Sequence, residues 1–363
     1  MMMPDSETAL ADMVRGANGP LRIQGGGTRP IGTSQGEGLS TAALRGIELY
    51  EPGALTLVAK AGTPMADVEA ALEAENQRLP FEPMDHRALL GTEGTPTLGG
   101  VVAANVSGPR RVQAGACRDS LIGVRYVDGS GAVIKNGGRV MKNVTGYDLV
   151  KLMAGSYGTL GVLSEVAFKV LPGIETTATL SISGVDAQAA VDAMSKALGS
   201  PFEVSGAAYL GGTVHLRVEG FSASVSYRLT QLRALLDGAG DMAEVEADAS
   251  RDLWVGIRDV THLAGASGDL WRISVKPSDA PAVVAALPGA AKTQLDWGGG
   301  LVWAVTPTGF DARAALGPIE GHATCLRGRA ATFHPEPAPL AALSQGLRAQ
   351  FDPRGILNTG LMG

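Results

Sequence analysis

The sequence predicts an α+β protein in which a glycine-rich first domain is followed by a domain of repeated strands and helices. Residues 25–28 and 95–108 are dense in glycine and small side chains, and residues 155–163 repeat that composition. Residues 173–334 twice give the order β-α-β-β-α-β of the split βαβ motif. Fifty of the 363 residues are glycine, about twice ordinary usage. They lie between regular apolar runs, as in an ordered protein.

Periodicity and turn residues predict the elements of the first domain in order. A helix capped by Asp5 or Ser6 reaches Arg15, and a short strand over 21–24 enters the first glycine run. They are followed by short strands within 40–50, a strand over 55–61, a helix over 65–77, an irregular segment over 80–94, a short helix over 99–105, a hairpin over 121–134, a helical turn over 147–153 and a strand over 162–171.

Each half of the second domain is predicted to be a ferredoxin-like β-α-β-β-α-β unit. The strands of the first half cover 179–183, 204–209, 214–218 and 244–247, and its helices cover 187–198 and 222–236. The strands of the second half cover 270–275, 290–295, 301–305 and 322–327, and its helices cover 280–287 and 311–316. We expect both halves to share one antiparallel sheet. A proline-rich turn over 332–339 then leads into a last helix over 340–351.

The glycine runs predict a site in which the main chain holds a large, planar, phosphorylated ligand. Residues 21–24 form a β-type run that enters Gly25, Gly26 and Gly27, and successive N–H groups in such a turn form an anion-binding concavity. A plain surface turn would also explain this run alone. The second run, about seventy residues later, favours a dinucleotide held at two places, since glycine lets a ligand approach the backbone closely.

Neither run matches the phosphate loops of nicotinamide-binding or nucleotide-hydrolysing domains. A Rossmann site requires Gly-x-Gly-x-x-Gly between a strand and a helix, but Gly27 is followed by Thr28, Arg29 and Pro30, which do not favour a helix. The glycines at 155, 158 and 161 lead into a predicted strand instead. No Gly-Lys-Ser/Thr follows either run, so the sequence also excludes a Walker loop.

Six segments together resemble the FAD-binding domain of the vanillyl-alcohol oxidase family, also called the p-cresol methylhydroxylase (PCMH) type. They are residues 22–28 (RIQGGGT), 97–105 (TLGGVVAAN), 118–119 (RD), 142–149 (KNVTGYDL), 155–162 (GSYGTLGV) and 351–360 (FDPRGILNTG). Their order is that of the family, and they cover both ends of the chain. The resemblance implies a discontinuous PCMH-type FAD-binding domain, 1–172 and 335–363, with 173–334 as a cap domain.

The resemblance also implies how FAD is held. Thr28 stands where many relatives carry the histidine that is linked to FAD, so non-covalent FAD is expected. Gly99 and Gly158 are expected to approach the cofactor so closely that no larger side chain fits, and Arg22 and Arg29 could counter the pyrophosphate charge. The implied cofactor-binding residues are Gln24, Gly25, Gly26, Gly27, Thr28, Thr97, Leu98, Gly99, Gly100, Ala103, Ala104, Asn105, Gly108, Gly155, Gly158, Thr159, Gly161, Val162 and Asn358.

The catalytic residues are unknown at this point, and no metal site is predicted. His334 and Arg327 are candidates for groups that face the flavin ring, because they precede the returning tail; a turn histidine and a surface arginine are the alternative interpretation. None of the five histidines has a ligand-type spacing to another histidine or to a cysteine. The larger, catalytic relatives hold a metal with Gly-Asp-Gly-Asn-x-His and Glu-His-Gly segments, which this sequence lacks.

Within the family, the chain length and the runs 142–148 and 332–335 are similar to those of the FAD-binding subunits of bacterial glycolate oxidase complexes. This resemblance implies an FAD-dependent oxidoreductase that is part of a multi-subunit 2-hydroxy acid dehydrogenase. The complex would oxidise glycolate to glyoxylate and pass the electrons on. The implied partners are a larger catalytic flavoprotein subunit and an iron–sulfur subunit. The alternative is a stand-alone flavin oxidoreductase that acts on another 2-hydroxy acid such as D-lactate.

Charge and composition argue against other classes of partner. The net charge of −6 does not attract nucleic acid or an anionic bilayer. The N-terminal residues lack the apolar segment of a secretory signal, and no apolar run reaches about eighteen residues. We therefore expect a cytoplasmic protein that reaches the inner membrane only through partners. Cys117 and Cys325 form no Cys-x-x-Cys unit and are expected to be buried structural thiols.

Two sets of side chains each have two interpretations. Asp85 and His86 could form a catalytic pair, but a solvated loop at the lip of the site is the favoured interpretation. The four tryptophans, 254, 271, 297 and 303, all lie in the cap region. We expect them in a core or between the domains, with substrate stacking as the alternative.

Overall fold

A computed structural model describes residues 1–138 and 146–362, and it confirms the predicted α+β fold. Residues 142–145 of the run 142–149 lie outside the described residues, so the role expected for them stays a prediction. Within the described residues, no helix is both long enough and apolar enough to cross a membrane.

The first domain begins with a helix whose limits match the sequence prediction. The Ser6 hydroxyl caps it by accepting the Ala9 N–H at 3.2 Å, and its buried face includes Leu10 and Val14. The elements up to the cap are α1 Glu7–Gly16, β1 Leu21–Gln24, β2 Glu37–Ser40, β3 Ile47–Glu51, β4 Thr56–Lys60, α2 Met65–Ala74, β5 Gln77–Arg78, α3 Arg87–Leu90, α4 Leu98–Ala103, α5 Arg111–Ala114, α6 Cys117–Ser120, β6 Leu121–Val127, β7 Val133–Gly137, α7 Leu149–Met153, β8 Val162–Lys169 and β9 Leu171–Pro172.

The strands of the first domain form a five-stranded antiparallel sheet beside two small two-stranded pairs. The sheet order is β3-β4-β8-β6-β7, and the predicted hairpin is present as β6 and β7, with Val127 opposite Val133. The Asp128 carboxylate accepts the N–H groups of Ser130 and Ala132, which closes the turn. Outside the sheet, β1 pairs with β2 in parallel, and β5 pairs with β9.

The cap is one sheet of eight antiparallel strands, as predicted for two joined ferredoxin-like halves. Its order is β13-β10-β12-β11-β15-β16-β14-β17, and the halves meet where Tyr209 lies opposite Leu295. The elements of the cap and the tail are β10 Thr176–Ser183, α8 Ala187–Leu198, β11 Gly206–Leu210, β12 Thr213–Gly220, α9 Ser222–Leu235, β13 Asp241–Glu246, α10 Ala247–Arg258, β14 Asp269–Val275, α11 Ala280–Ala286, β15 Lys292–Asp296, β16 Leu301–Thr306, α12 Ala312–Leu316, β17 Gly321–Arg327 and α13 Ala338–Phe351.

Helix α10 has no counterpart in the sequence prediction. A strand over 244–247 was expected there, but the strand ends at Glu246 and the helix starts at Ala247. The buried residues Ser250, Trp254 and Ile257 lie one or two turns apart, which is the signal that predicts the helix. The Trp254 Nε1–H donates to the Thr179 hydroxyl at 2.8 Å, so α10 is attached to the cap sheet.

The two faces of the cap sheet pack against different partners. Trp271 and Ile273 lie in a core with the cap helices α8 and α9. Alternate residues such as Leu270 and Trp303 point the other way and join one core with Phe81 of the first domain. Tryptophans 254, 271 and 303 are buried, which agrees with the expected core role for these three.

A buried cluster of five charged side chains joins the domains. Glu219 of the cap accepts hydrogen bonds from Arg110 at 2.6 Å and from Arg78 at 3.1 Å. Arg217 of the cap donates twice to Glu82 of the first domain, both times at 2.8 Å. Opposite charges from both domains therefore alternate at this contact, and they fix the cap relative to the first domain.

The C-terminal tail returns to the start of the chain. The Leu21 N–H donates to the Ile356 carbonyl at 2.7 Å, and the Asn358 N–H donates to the Leu21 carbonyl at 2.9 Å. These bonds support the proposal that the first domain is built from both chain ends. The residue limits of the two domains stay a prediction.

Candidate functional site

A cavity of about 570 Å³ lies among the glycine-rich segments of the first domain. Its wall includes all residues of the loop 22–34, the start of α4, the turn that contains Tyr157 and Gly158, and Asn358 and Leu361 of the tail. Its volume falls within the range of about 300–1,000 Å³ that is usual for ligand and cofactor sites. The segments that carry the sequence motifs thus meet around one cavity.

Most of the predicted cofactor-binding residues line this cavity. Those that do are Gln24, Gly25, Gly26, Gly27, Thr28, Thr97, Gly99, Gly100, Ala103, Ala104, Gly158, Gly161, Val162 and Asn358. Their small side chains form a wall in which the backbone itself faces the cavity. A flat ligand can therefore approach the main chain along much of this wall.

The remaining predicted residues, Leu98, Asn105, Gly108, Gly155 and Thr159, do not line the cavity. Leu98 is fully buried in the core. The Asn105 side chain accepts the Arg118 N–H at 3.0 Å, and the Gly155 N–H donates to the Val102 carbonyl. The N–H and hydroxyl of Thr159 both donate to the Ser156 carbonyl. The Gly108 N–H donates to the Phe81 carbonyl at 2.8 Å. We therefore assign these five residues to the scaffold behind the wall.

The first glycine loop packs backbone to backbone against residues 94 and 95. A Cβ atom on Gly26 would lie 1.6 Å from the Thr95 carbonyl oxygen, and one on Gly94 would lie 2.0 Å from the Gly26 oxygen. The Thr95 N–H donates to that same Gly26 oxygen at 3.0 Å. Only glycine fits at either position, so the loop has a defined shape before any ligand arrives.

The first glycine loop also presents unpaired donors. Within residues 1–138 and 146–362, the backbone N–H groups of Gly26, Gly27 and Thr28 have no hydrogen-bond acceptor. Gly27 is exposed and Gly26 and Thr28 are half-buried, so a ligand in the cavity can reach these donors. Successive free N–H groups in a turn bind phosphate oxygens. This donor set fits the pyrophosphate of a dinucleotide.

The start of α4 contributes shape rather than donors, which corrects the expectation that both runs hold the ligand through N–H groups. The Leu98 N–H donates to the Thr63 carbonyl at 2.9 Å, and the Gly99 N–H donates to the Ala61 carbonyl at 2.7 Å. A Cβ atom on Gly99 would lie 2.6 Å from the Ala61 Cβ. Glycine is required at 99 because the protein itself fills the space that we had assigned to the cofactor.

Asn358 connects three segments at the edge of the cavity. Its side-chain oxygen accepts the Ile23 N–H at 2.7 Å, and its Nδ2 donates to the Tyr157 carbonyl at 2.7 Å. A Cβ atom on Gly158, which has a φ of 72°, would lie 3.0 Å from that Nδ2 atom. Asn358 therefore positions β1 and the Tyr157 turn, and Gly158 is needed partly because Asn358 lies next to it.

Three further residues, Arg29, His86 and Tyr157, line the cavity and were not among the predicted cofactor-binding set. The Arg29 Nη1 donates to the Tyr157 hydroxyl at 3.1 Å. Burial, followed by the charges of Arg29 and Arg272, holds the pKa of His86 well below its usual value, so its imidazole is neutral at physiological pH. Two of the three could have been found from the sequence, because Arg29 follows Thr28 and Tyr157 lies within the run 155–162.

The favoured interpretation of Asp85 and His86 as a solvated loop is wrong for His86. Its side chain is buried and belongs to the cavity wall. The Asp85 carboxylate instead accepts hydrogen bonds from Arg87, the closest at 2.7 Å. The short helix α3 follows directly, so this segment is more ordered than the sequence predicts.

Neither His334 nor Arg327 lines the cavity, so we no longer propose them as groups that face the flavin ring. The Arg327 guanidinium donates to three backbone carbonyls, those of Gly268, Leu89 and Ala266. The His334 Nδ1 accepts the Ala323 N–H at 3.2 Å. Both side chains hold the chain in place. Over the described part of the chain, no three His, Cys, Asp or Glu side chains are grouped as metal ligands would be.

The chain is similar over nearly its whole length to a characterised relative. A family model described as an FAD binding domain matches residues 1–137. The glycolate oxidase subunit GlcE of Escherichia coli (strain K12) is 37% identical over 369 residues, which cover 99% of this chain and 97% of the relative.

Other relatives match a shorter part of the chain. The glycolate oxidase subunit GlcD of Bacillus subtilis (strain 168) is 35% identical over 126 residues, which cover 35% of this chain and 25% of that protein. A D-lactate dehydrogenase of Archaeoglobus fulgidus is 28% identical over 189 residues, which cover 50% of this chain and 41% of the relative.

The fold has a solved counterpart. A structure of alkyldihydroxyacetonephosphate synthase superposes with a TM-score of 0.71 and covers 99% of this chain and 76% of the other chain. The two sequences are 14% identical, so this likeness concerns the fold alone.

Proposed function

This chain belongs to the family of the glycolate oxidase subunit GlcE, and from that membership we propose that it is the FAD-binding subunit of a multi-subunit 2-hydroxy acid dehydrogenase. The chain is an FAD-binding oxidoreductase subunit. Its complex oxidises glycolate to glyoxylate and passes the electrons on. A larger flavoprotein subunit supplies the catalytic site, and an iron–sulfur subunit receives the electrons. Cytoplasmic placement, with membrane contact through these partners, belongs to the same proposal.

The observation that carries the proposal is the loop of unpaired N–H groups at the cavity. Gly26, Gly27 and Thr28 would hold the FAD pyrophosphate through these donors. Bound FAD supplies a two-electron acceptor. The small residues Gly100 and Ala103 leave room for a flat ligand. His86 also lines the wall, and its neutral imidazole adds no charge there.

The FAD should be held without a covalent bond. Thr28, which lines the cavity, offers a hydroxyl and no imidazole nitrogen in the first glycine loop. The purified chain should be yellow, and acid precipitation should move the flavin into the supernatant. Yellow colour that stays in the pellet contradicts this prediction, and so does a colourless protein that FAD does not reconstitute.

The proposed function is tested by comparing the isolated chain with the native assembly. The chain, carrying an affinity tag, is purified from its own cells, and the co-purifying subunits and their cofactors are identified. Each preparation is then mixed anaerobically with glycolate, and the absorbance of the flavin is followed. We expect flavin reduction in the assembly and an oxidised flavin in the isolated chain. Rapid reduction in the isolated chain would instead identify a stand-alone dehydrogenase, and the same assay with D-lactate would then define its substrate.

A further inference from the structure

Two arginines from different domains lie against the same tryptophan at the contact between the cap and the first domain. The Arg111 Cζ lies 4.5 Å from the centre of the Trp297 ring system, and the Arg272 Cζ lies 5.2 Å from it. The Trp297 Nε1–H donates to the Gly108 carbonyl at 3.0 Å. That bond crosses between the domains, so the ring has a fixed position on which both guanidinium groups can stack.

Among the residues that the structure describes, neither guanidinium has a hydrogen-bond acceptor, and no carboxylate lies within 4.0 Å of either charge. A guanidinium presents five N–H donors, and both arginines are half-buried, so part of their hydration is lost without a hydrogen bond to replace it. At the same domain contact, Arg110 and Arg217 each pair with carboxylates, so Arg111 and Arg272 differ from their neighbours.

The charges around Arg272 do not offset the effect of its burial. Burial lowers the pKa of Arg272 to about 10; Tyr157 opposes this, Arg29 and Arg111 lower the pKa further, and Asp296 raises it. Asp296 is the nearby acid, but burial raises the pKa of its carboxyl to about 7. Burial thus favours the neutral form of this acid.

Arg272 acts on a residue of the cofactor cavity wall, although neither Arg272 nor Arg111 lines that cavity. Arg272 is on strand β14 opposite Trp303, whose side chain is in the core shared with the first domain. The charges of Arg272 and Arg29 both reach His86 in the cavity wall. Arg29 lines the cavity, and its buried Nε has no hydrogen-bond partner among the described residues. Arginine donors without a hydrogen-bond acceptor are therefore present both in the cavity wall, at Arg29, and in the cap, at Arg272.

We propose that Arg111 and Arg272 bind the carboxylate of a small organic acid at the junction of the cap and the cofactor cavity. A guanidinium matches a carboxylate through two parallel hydrogen bonds, and stacking on Trp297 holds the guanidinium planes for that contact. The choice of a 2-hydroxy or 2-oxo acid as the natural ligand rests on the proposed function. The carboxylate site itself rests on the two unpaired arginines, and it gives this chain its own contact with the acid.

The test uses oxalate as the probe and the FAD-loaded chain as the protein. Binding is measured by isothermal titration calorimetry and by tryptophan fluorescence at constant ionic strength. We expect saturable binding that Arg272→Gln and Arg111→Gln each weaken about ten- to hundred-fold, as for a lost charge-assisted hydrogen bond. The control is Arg233→Gln, which removes an exposed arginine that pairs with Glu244 of the cap; it should bind oxalate like the wild type.

Melting temperature separates a ligand-binding role from a structural one. Arg272→Gln without oxalate should melt at the wild-type temperature or higher, because it removes an unpaired charge. A wild type without saturable oxalate binding overturns the proposal, and so does an Arg272→Gln protein with lower melting temperature and unchanged oxalate affinity.

Flavin absorbance is recorded before either measurement. A chain that holds no FAD would refute the proposed function, whereas oxalate binding by that chain would leave the arginine site standing.

Discussion

Replacement of Glu219 by alanine should lower the free energy of unfolding by about 3–5 kcal/mol, the usual effect of removing one partner from a buried ion pair. The Glu219 side chain is 6% exposed and accepts hydrogen bonds from Arg110 and Arg78. Without it, Arg78 loses its only carboxylate partner among the described residues, and Arg110 keeps only Glu82. The cap then loses the carboxylate through which it holds two arginines of the first domain.

Urea denaturation of the wild type and the variant at pH 7 measures this effect. Glu244→Ala is the matched control, because Glu244 forms an exposed pair with Arg233 in the same cap sheet, and exposed pairs contribute about 0–1 kcal/mol. Equal losses for the two variants would contradict the assigned role of the buried cluster.

The contribution of Glu219 should also depend on pH. Burial alone would raise the pKa of its carboxyl, but Arg217 and Arg110 outweigh burial and hold the folded-state pKa well below the ordinary 4.5. The unfolded chain therefore takes up the proton first as the pH falls. The stabilisation is complete above the unfolded pKa and is lost progressively as the pH falls from the unfolded pKa to the folded pKa. The difference between the wild type and Glu219→Ala should therefore shrink in acid.

Gly100→Leu should abolish FAD binding while the chain stays folded. Gly100 lines the cavity, and a Cβ atom there would meet only the Thr97 hydroxyl, at 3.1 Å. The opposite wall is close, because a Cβ atom on Gly25 would lie 3.7 Å from the Gly100 Cα. A leucine side chain would therefore occupy the space between α4 and the first glycine loop. Leucine also favours the helix over glycine by about 1 kcal/mol, which protects the fold.

Flavin content per chain, from the absorbance of purified protein, measures the result, and circular dichroism checks the fold. Gly346→Leu is the matched control, since Gly346 lies in helix α13 and a Cβ atom there would meet nothing within 4 Å. A folded Gly100→Leu chain with the flavin content of the wild type would show that the cofactor lies elsewhere. Gly99→Val is unsuitable for this test, because its side chain would meet Ala61 rather than the cavity.

Local patterns in the sequence determined the elements and the class of ligand. Both β-α-β-β-α-β repeats, the hairpin at Val127 and Val133 and the helix capped by Ser6 follow from periodicity and turn residues a few positions apart. The triple glycine after a short strand predicted a dinucleotide site. Because the sequence has no Rossmann or Walker pattern, that site had to be of another type. The sequence predicted that both halves of the cap share one antiparallel sheet, but not which strands join them. The structure pairs β11 with β15, which lie about eighty residues apart in the chain.

Only the tertiary structure decided which groups remain unpaired, because a hydrogen-bond partner can come from any part of the chain. Gly26 and Gly99 look alike in sequence, yet the Gly26 N–H has no acceptor among residues 1–138 and 146–362, and the Gly99 N–H donates to the Ala61 carbonyl. Arg110 and Arg111 are neighbours, yet Arg110 is buried against two carboxylates, and Arg111 lies on Trp297 with no carboxylate partner in the described part of the chain. Residue types and spacing determine local conformation, whereas the balance of charge and donors at a site depends on what distant segments bring to it.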